Sequence, residues 1–431
     1  MAEPGKRRWI PAVRPQTAYV ALALAVSLLV VSPTAQAQFK MLYTFSGGTD
    51  GGRPEASVIK DAKGNLYGTT FWGGNLSCNS GNGCGVVFKL TPAGKEIVLH
   101  SFAGDQDGAF PSAALLADAQ GNLYGTTTAG GGASGCLGSG CGTIFKIDTK
   151  GTETVLYRFT GGTDGGEPSS ALTVDSKGNL LGTTSVGGNL SCSPPSGCGV
   201  VYAYDRVLGK EIVLMSFAGG ADGEFPTGER LGLDNNGSVF GTTQKGGDST
   251  CDCGVVFKLT KSKKEIVLHS FKGGATDGSF PLGGVTLDTT HNLYGTTALG
   301  GANGQGVLFK ISVAGSFSAL HSFGTGGTDG AHPYSGVNVC SDGSVLGNTT
   351  IGGTMGFGTI WKVAKNKKET VLYNFDFSFG GGVPVSGFTW THDGDGSVSY
   401  GTASEGGNIN GKNGSGTVHS YDSDSREVCH H

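Results

Sequence analysis

The motif Asn-Leu-Tyr-Gly-Thr-Thr, exact or varied, returns seven times, with its glycine at Gly68, Gly125, Gly182, Gly241, Gly295, Gly347 and Gly401. The intervals are 57, 57, 59, 54, 52 and 54 residues. A fixed period in this range marks a repeat architecture, in which no unit buries its apolar face alone. Length by itself suggests two or three domains, but the unbroken period argues for one domain over residues 38–421.

Each unit holds four short β patterns. In the second they are Ala113–Asp118, Asn122–Thr127, Gly142–Ile147 and Glu153–Phe159. All are rich in β-branched and aromatic residues, bounded by Gly, Asp, Asn or Pro, and too short for helices. Tight-turn sequences such as Asp118-Ala-Gln-Gly-Asn122 join neighbours as antiparallel hairpins. Four antiparallel strands repeated in this way make a propeller blade.

The ends of the chain fit together. Phe39–Phe45 reads as a fourth strand, whereas the seventh unit stops at Tyr421 after its third. The fold expected is all-β: a seven-bladed β-propeller of four-stranded antiparallel blades, closed by strand 39–45 completing the last blade. Closure removes two open sheet edges that would invite aggregation. An open solenoid of the same units is the alternative.

Residues 1–37 read as a signal peptide. Lys6, Arg7, Arg8 and Arg14 precede an apolar run from Thr17 to Val31, and Ala35-Gln-Ala37 fits a small-x-small cleavage site. Export to the periplasm or the outside follows, with cleavage near Ala37. Arg7-Arg8 leaves twin-arginine export open. No cysteine at the cleavage site suggests a lipid anchor, and no later apolar stretch suggests a membrane span. Removing the leader's net +3 from the chain's −4 leaves −7, a balance that argues against nucleic acid or anionic lipid.

Eight of the ten cysteines form close pairs between the second and third strands of units one to four: Cys78/Cys84, Cys136/Cys141, Cys192/Cys198 and Cys251/Cys253. They read as local disulfides pinning glycine-rich loops in an oxidising compartment, although a metal or redox site has the same spacing. Units five to seven carry Gln305, Phe357 and Ser415 where the second cysteine would stand. Cys340 and Cys429 are left over, and their pairing stays open.

The combination Pro…Leu-x-x-Asp-x-x-Gly-Asn-Leu-Tyr-Gly-Thr-Thr-x-x-Gly-Gly…Gly-Thr-x-Phe-Lys-Leu…Glu-x-Val-Leu-His-Ser-Phe resembles the GloVer tandem repeat of bacterial exported, choice-of-anchor proteins. The resemblance covers all seven units. It implies fold and export, and no activity. The tail 422–431 carries no anchor of the expected kind. The strand order is also similar to that of NHL and kelch-type propellers, which are mostly binding modules.

No nucleophile elbow, phosphate loop or His-Glu-x-x-His is present, so no catalytic residue is assigned. His100, His269 and His321 share one outer-strand position with Tyr43, Tyr157, Met215 and Tyr373, which reads as a packing position. No cofactor is expected, with Ca²⁺ as the open alternative. Its ligands would be Asp50, Asp107, Asp164, Asp222, Asp277 and Asp329 of the Asp-Gly-x-x-Pro loops, whose simpler reading is an Asx-type turn.

These loops share a face with the cysteine loops, where a rigid scaffold usually binds its ligand. The residue before each loop proline varies while Asp, Gly and Pro recur. Arg53, Phe110, Glu167, Phe225, Phe280, His332 and Val383 are therefore expected at the channel mouth. Tyr334, Phe71 and Trp72 extend an aromatic platform, or the phenylalanines plug the channel as core. The expected function is a secreted, monomeric binding module for a carbohydrate, a cell-envelope polymer or a protein. An extracellular lactonase-like or polysaccharide-cleaving propeller and a passive surface protein are the alternatives.

Overall fold

The computed structural model describes residues 38–423 apart from 134, 137, 394, 395, 410 and 411. The leader and the tail from residue 424, with Cys429, lie outside the described residues. Among the described residues no helix is long and apolar enough to cross a membrane.

Seven antiparallel sheets succeed one another along the chain. Blade one runs Ile59–Lys60, Leu66–Thr70, Val86–Leu90 and Glu96–Ser101 from inner to outer strand, and the following blades repeat this order. The seventh is Thr389–Asp393, Gly396–Ala403, Thr417–Ser423 and the N-terminal strand Gln38–Thr44. Gln38 pairs with Asp422 and Thr44 with Thr417, so the ring closes through the first strand as the pattern requires. The third strand of blade seven reaches Ser423, two residues into the expected tail. The inner strands are shorter than their patterns: in blade two only Leu116–Ala117 is paired as strand. Small residues on these segments, Ala56, Ala113, Ala114 and Ala171, pack together as one buried cluster.

The motif glycine has a steric cause. It pairs across the sheet with the third-strand aromatic, Gly68 with Phe88 and Gly125 with Phe145. A Cβ at Gly125 would sit 2.5 Å from Phe145 Cζ, so the ring lies flat on bare backbone. The same rings meet the last phenylalanine of the preceding blade edge-on, Phe45 on Phe88 at 5.0 Å and Phe102 on Phe145 at 5.2 Å. Tyr202, Phe257, Phe309, Trp361 and His419 continue the series against Phe159, Phe217, Phe271, Phe323 and Phe375. All seven preceding phenylalanines are fully buried, so the core lies between blades. Each pair contributes about 0.5–1.5 kcal/mol beyond its area.

Candidate functional site: the channel and its mouth

The residue before each loop proline has an unusual backbone. Arg53, Phe110, Glu167, Phe225, Phe280, His332 and Val383 all have φ between 54° and 59°. A left-handed conformation costs a non-glycine residue about 1–2 kcal/mol, and a following proline disfavours helical geometry further. Two contacts hold it. The N–H of Phe110 donates to Cys84 O of the previous blade, and His332 N to Gln305 O in the same way. The proline then packs over the glycine opening the previous blade's third strand; a Cβ on Gly85 would lie 2.7 Å from Pro111 Cδ. The cysteine carbonyl is thus part of the stitch between blades.

Cys78–Cys84, Cys136–Cys141, Cys192–Cys198 and Cys251–Cys253 are disulfides. Cys340 is disulfide-bonded as well.

These geometries move the expected platform. The cavity at the mouth, about 200 Å³, is lined by the residue after each proline: Glu55, Ser112, Ser169, Thr227, Leu282, Tyr334 and Val385. Of the ligand residues expected from the sequence, Tyr334 alone lines it. The residues before the prolines are not part of that lining. They bridge neighbouring loops: Phe110 stacks on Phe71 at 4.9 Å, His332 Nε2 lies 2.8 Å from Gln305 Oε1, and Lys245 sits over the Phe225 ring at 5.7 Å. Phe225 and Phe280 are half-buried, neither plug nor open platform.

One stretch of rim joins the mouth. Arg53 bonds Glu55 at 2.7 Å and lies over Trp72 at 4.8 Å and Phe71 at 5.5 Å. Hydroxyls, a carboxylate, a guanidinium and three half-buried rings therefore form one continuous strip. Burial pushes the Glu55 carboxyl up, with Arg53 opposing.

Blade four breaks the symmetry, and the sequence reading missed it. Its inner strand, Glu224–Leu233, is the longest in the molecule's described part. Five positions separate Pro226 from the core residue Leu231, where four separate Pro54 from Val58 and Pro111 from Leu115. The extra residue puts Glu229 across the channel. Its carboxylate accepts from Gly387 N of blade seven and from Gly336 N of blade six. The side chain is half-buried and lines the cavities on both sides of the channel. Burial pushes the carboxyl up to about 7, against the pull of both backbone N–H groups. Glu229 also lines the cavity on the hairpin side, about 520 Å³ and walled by Leu231, Leu287 and Phe388. It is a bar between two vestibules. A larger groove of about 590 Å³ lies between the hairpin turns of blades three and four, away from the channel.

The loop aspartates turn inward. Asp50 accepts from Ser46 N at 2.8 Å and Tyr43 Oη at 3.0 Å, and Asp164 from Thr160 N and Tyr157 Oη, both at 2.9 Å. His269 Nε2 meets Asp277 at 3.1 Å and His100 Nε2 meets Asp107 at 3.2 Å. The outer-strand Tyr/His position thus packs and also partners the loop Asp. In blade three Met215 takes that place, and Asp222 lies in the short turn Gly220–Asp222 instead. Behind four of these aspartates stands a glutamate at or next to the start of the next outer strand. Glu96, Glu211, Glu265 and Glu369 are pushed up to about 7, by burial first and then by Asp50, Asp164, Asp222 and Asp329 respectively.

A profile of the Gloeobacter/Verrucomicrobia repeat matches residues 29–194 and 193–418. No curated protein matches. Among solved structures, an oligogalacturonate lyase in complex with manganese has a TM-score of 0.52 at 12% identity, over 90% of this chain and 96% of that one. The oligogalacturonate lyase of Vibrio parahaemolyticus has a TM-score of 0.51 at 11% identity, over 90% and 97%. The extracellular domain of a B. thetaiotaomicron protein described as a hybrid two-component system has a TM-score of 0.52 at 14% identity; 92% of this chain covers 44% of that one. Likeness at this identity is likeness of fold.

Proposed function

The chain belongs to the Gloeobacter/Verrucomicrobia repeat family, and from that premise we propose that it is an exported binding module that takes a carbohydrate end group at the channel mouth. The carrying observation is the strip from the mouth cavity through Arg53 to Trp72, Phe71 and Phe110. Sugars present hydroxyls at their edges and C–H groups on their faces. Ser112, Thr227 and Tyr334 offer hydroxyl partners in the cavity, and the rings beside it offer a flat apolar face. The cavity is smaller than the roughly 300–1,000 Å³ of sites enclosing a drug-sized ligand, so it suits one terminal unit with the rest of the chain lying on the rim. Four disulfides, with Cys340 bonded as well, fit an oxidising compartment and support a ligand in the periplasm or outside the cell.

The carboxyl groups count against an enzyme. Glu229 is spent on two backbone N–H groups and Glu55 on Arg53. Neither stands free beside the other as an acid/base pair requires.

Binding of the purified protein to an array of neutral and acidic oligosaccharides, with and without calcium, tests the reading. Trp72→Ala and Arg53→Ala should each weaken binding at least about tenfold, roughly 1.4 kcal/mol, with an unchanged melting temperature. Calcium should make no difference, because the loop aspartates are engaged by their own turns. Full binding by both variants would refute the site, and no binding to any glycan would refute the ligand class.

A further inference from the structure

Three side chains converge between blades five and six, each with a buried polar atom that makes no hydrogen bond. His321 is on the outer strand of blade five, Phe317–Ser322; Asp329 is in the loop that follows; Glu369 opens the outer strand of blade six, Glu369–Asn374. His321 Nε2, Asp329 Oδ1 and Glu369 Oε1 are all shut off from solvent, and none has a hydrogen-bond partner. One donor atom from each residue lies within 4.8 Å of the other two. Asp329 is only 5% exposed, so this is a buried carboxylate directed at a second carboxylate and an imidazole.

The equivalent junctions show what the ordinary solution looks like. Between blades four and five, His269 Nε2 bonds Asp277 at 3.1 Å, and Phe317 replaces the glutamate and stacks on His269 at 4.0 Å. Between blades one and two, His100 Nε2 bonds Asp107 at 3.2 Å, which leaves Glu153 Oε1 alone unpaired. Among the described residues, the blade five–six junction is the one where imidazole, aspartate and glutamate are all left over together.

Two buried carboxylates and an imidazole need a counter-charge. A proton shared between the carboxyls would leave His321 Nε2 with only its ion-pair contact to Asp329 Oδ2. Calcium takes six to eight oxygens and has little use for imidazole. A zinc-like ion takes four N/O donors at about 2.0–2.2 Å, which sets them about 3.3 Å apart in a tetrahedron. His321 Nε2 and Asp329 Oδ2 are already 3.4 Å apart.

We propose that His321, Asp329 and Glu369 bind one divalent transition-metal ion, zinc in type, with water as the fourth ligand. Donors from two blades would make it a staple across a junction whose loops carry no disulfide. The site is distinct from the channel mouth and does not depend on the carbohydrate reading.

The full exported chain, disulfides intact, is stripped with EDTA and titrated with Zn²⁺ against a chromogenic chelator, and melted with and without the ion. One equivalent should bind and raise the melting temperature. Glu369→Gln and His321→Gln should each weaken binding at least tenfold and abolish the rise, while His269→Gln keeps both. In EDTA, Glu369→Gln should melt no lower than the parent, because the amide relieves the carboxylate pair; this separates lost binding from lost folding. Stoichiometric binding that survives both substitutions, no binding of Zn²⁺, Co²⁺ or Ni²⁺, or stabilisation by Ca²⁺ alone would each overturn the proposal.

Discussion

Blades one to four and blades five to seven share one plan but hold their long-loop face differently. Fifteen positions separate the last motif threonine from the glycine opening the third strand in blades one to three (Thr70 to Gly85, Thr127 to Gly142, Thr184 to Gly199), and eleven in blade four. Only nine do so in blades five and six (Thr297 to Gly306, Thr349 to Gly358). Each longer loop of blades one to four is closed by a disulfide. The short ones close with polar contacts, such as Asn303 Nδ2 donating to Phe323 O at 3.0 Å. Blade seven, with thirteen positions from Ala403 to Gly416, carries a small hairpin of Asn408–Ile409 and Lys412–Asn413 instead. The difference follows from loop entropy: a longer loop has more freedom to lose, and a covalent link removes that freedom from the unfolded chain. Ring-on-ring pairs between blades run through both halves, so the disulfides trim loops and the core holds the ring.

The strongest way to break the comparison is at the closure. Deleting residues 38–46 removes the outer strand of blade seven and Phe45 from the blade seven–one core. Losing that buried phenylalanine alone should cost about 3–5 kcal/mol. The truncated chain should lose its cooperative melt; an unchanged curve would mean that the half whose long loops carry no disulfide closes by other means. Next comes reduction. Each bridge spans two to six residues and should contribute no more than about 2 kcal/mol. Limited proteolysis after reduction should nick the loops 71–85, 128–142 and 185–199 and spare 298–306 and 350–358. Equal nicking in both halves would show that loop length was not the reason for the bridges.

Gly125→Ala and Gly295→Ala probe the shared core, one in each half. Their Cβ atoms would fall 2.5 Å from Phe145 Cζ and 2.6 Å from Gly284 O. Overpacking of this kind costs about 1–3 kcal/mol, and chemical denaturation should find similar losses in both variants. The one effect that should change with pH belongs to His419, which stands where six blades have Phe, Tyr or Trp. It is fully buried with both ring nitrogens unpaired, and burial holds its pKa down at about 3. The unfolded chain takes up this proton below about 6.5 and the folded one does not. The His419 contribution is therefore full above about 6.5 and is lost as pH falls from there towards 3. His419→Phe should stabilise the protein by about 2 kcal/mol at pH 5, from 1.36 kcal/mol for each pH unit below 6.5, and by less at pH 8. A gain independent of pH would assign the effect to packing instead.

Much of this was legible in the sequence because it is local. The glycine-to-aromatic pairing sits within one hairpin, and the Asp61 turn closes on Lys63 and Asn65 within four residues. The cysteines pair across five or six residues, or two. The site was half legible. The sequence pointed to the residues before the loop prolines, whereas the residues after them line the mouth cavity. The variable residue before the proline invited that reading, and its left-handed backbone, φ 54° at Arg53, cannot be seen in a list of side chains. Glu229 did leave a signal: the interval from Gly182 to Gly241 is the longest of the six, and the spacing from Pro226 to Leu231 is one too many.

By itself the sequence determined the blade, the number of blades, the closing strand and the disulfides, since each depends on residues paired in register over short distances or on a period that simple counting reveals. Only the tertiary structure decided that Glu229 bars the channel to Gly336 and Gly387, and that His321 and Asp329 meet Glu369. Those contacts join different blades, and their partners lie 40 to 158 residues apart. Which side chains meet there depends on how closely the small channel-lining residues let the blades approach, a distance that no repeat pattern encodes.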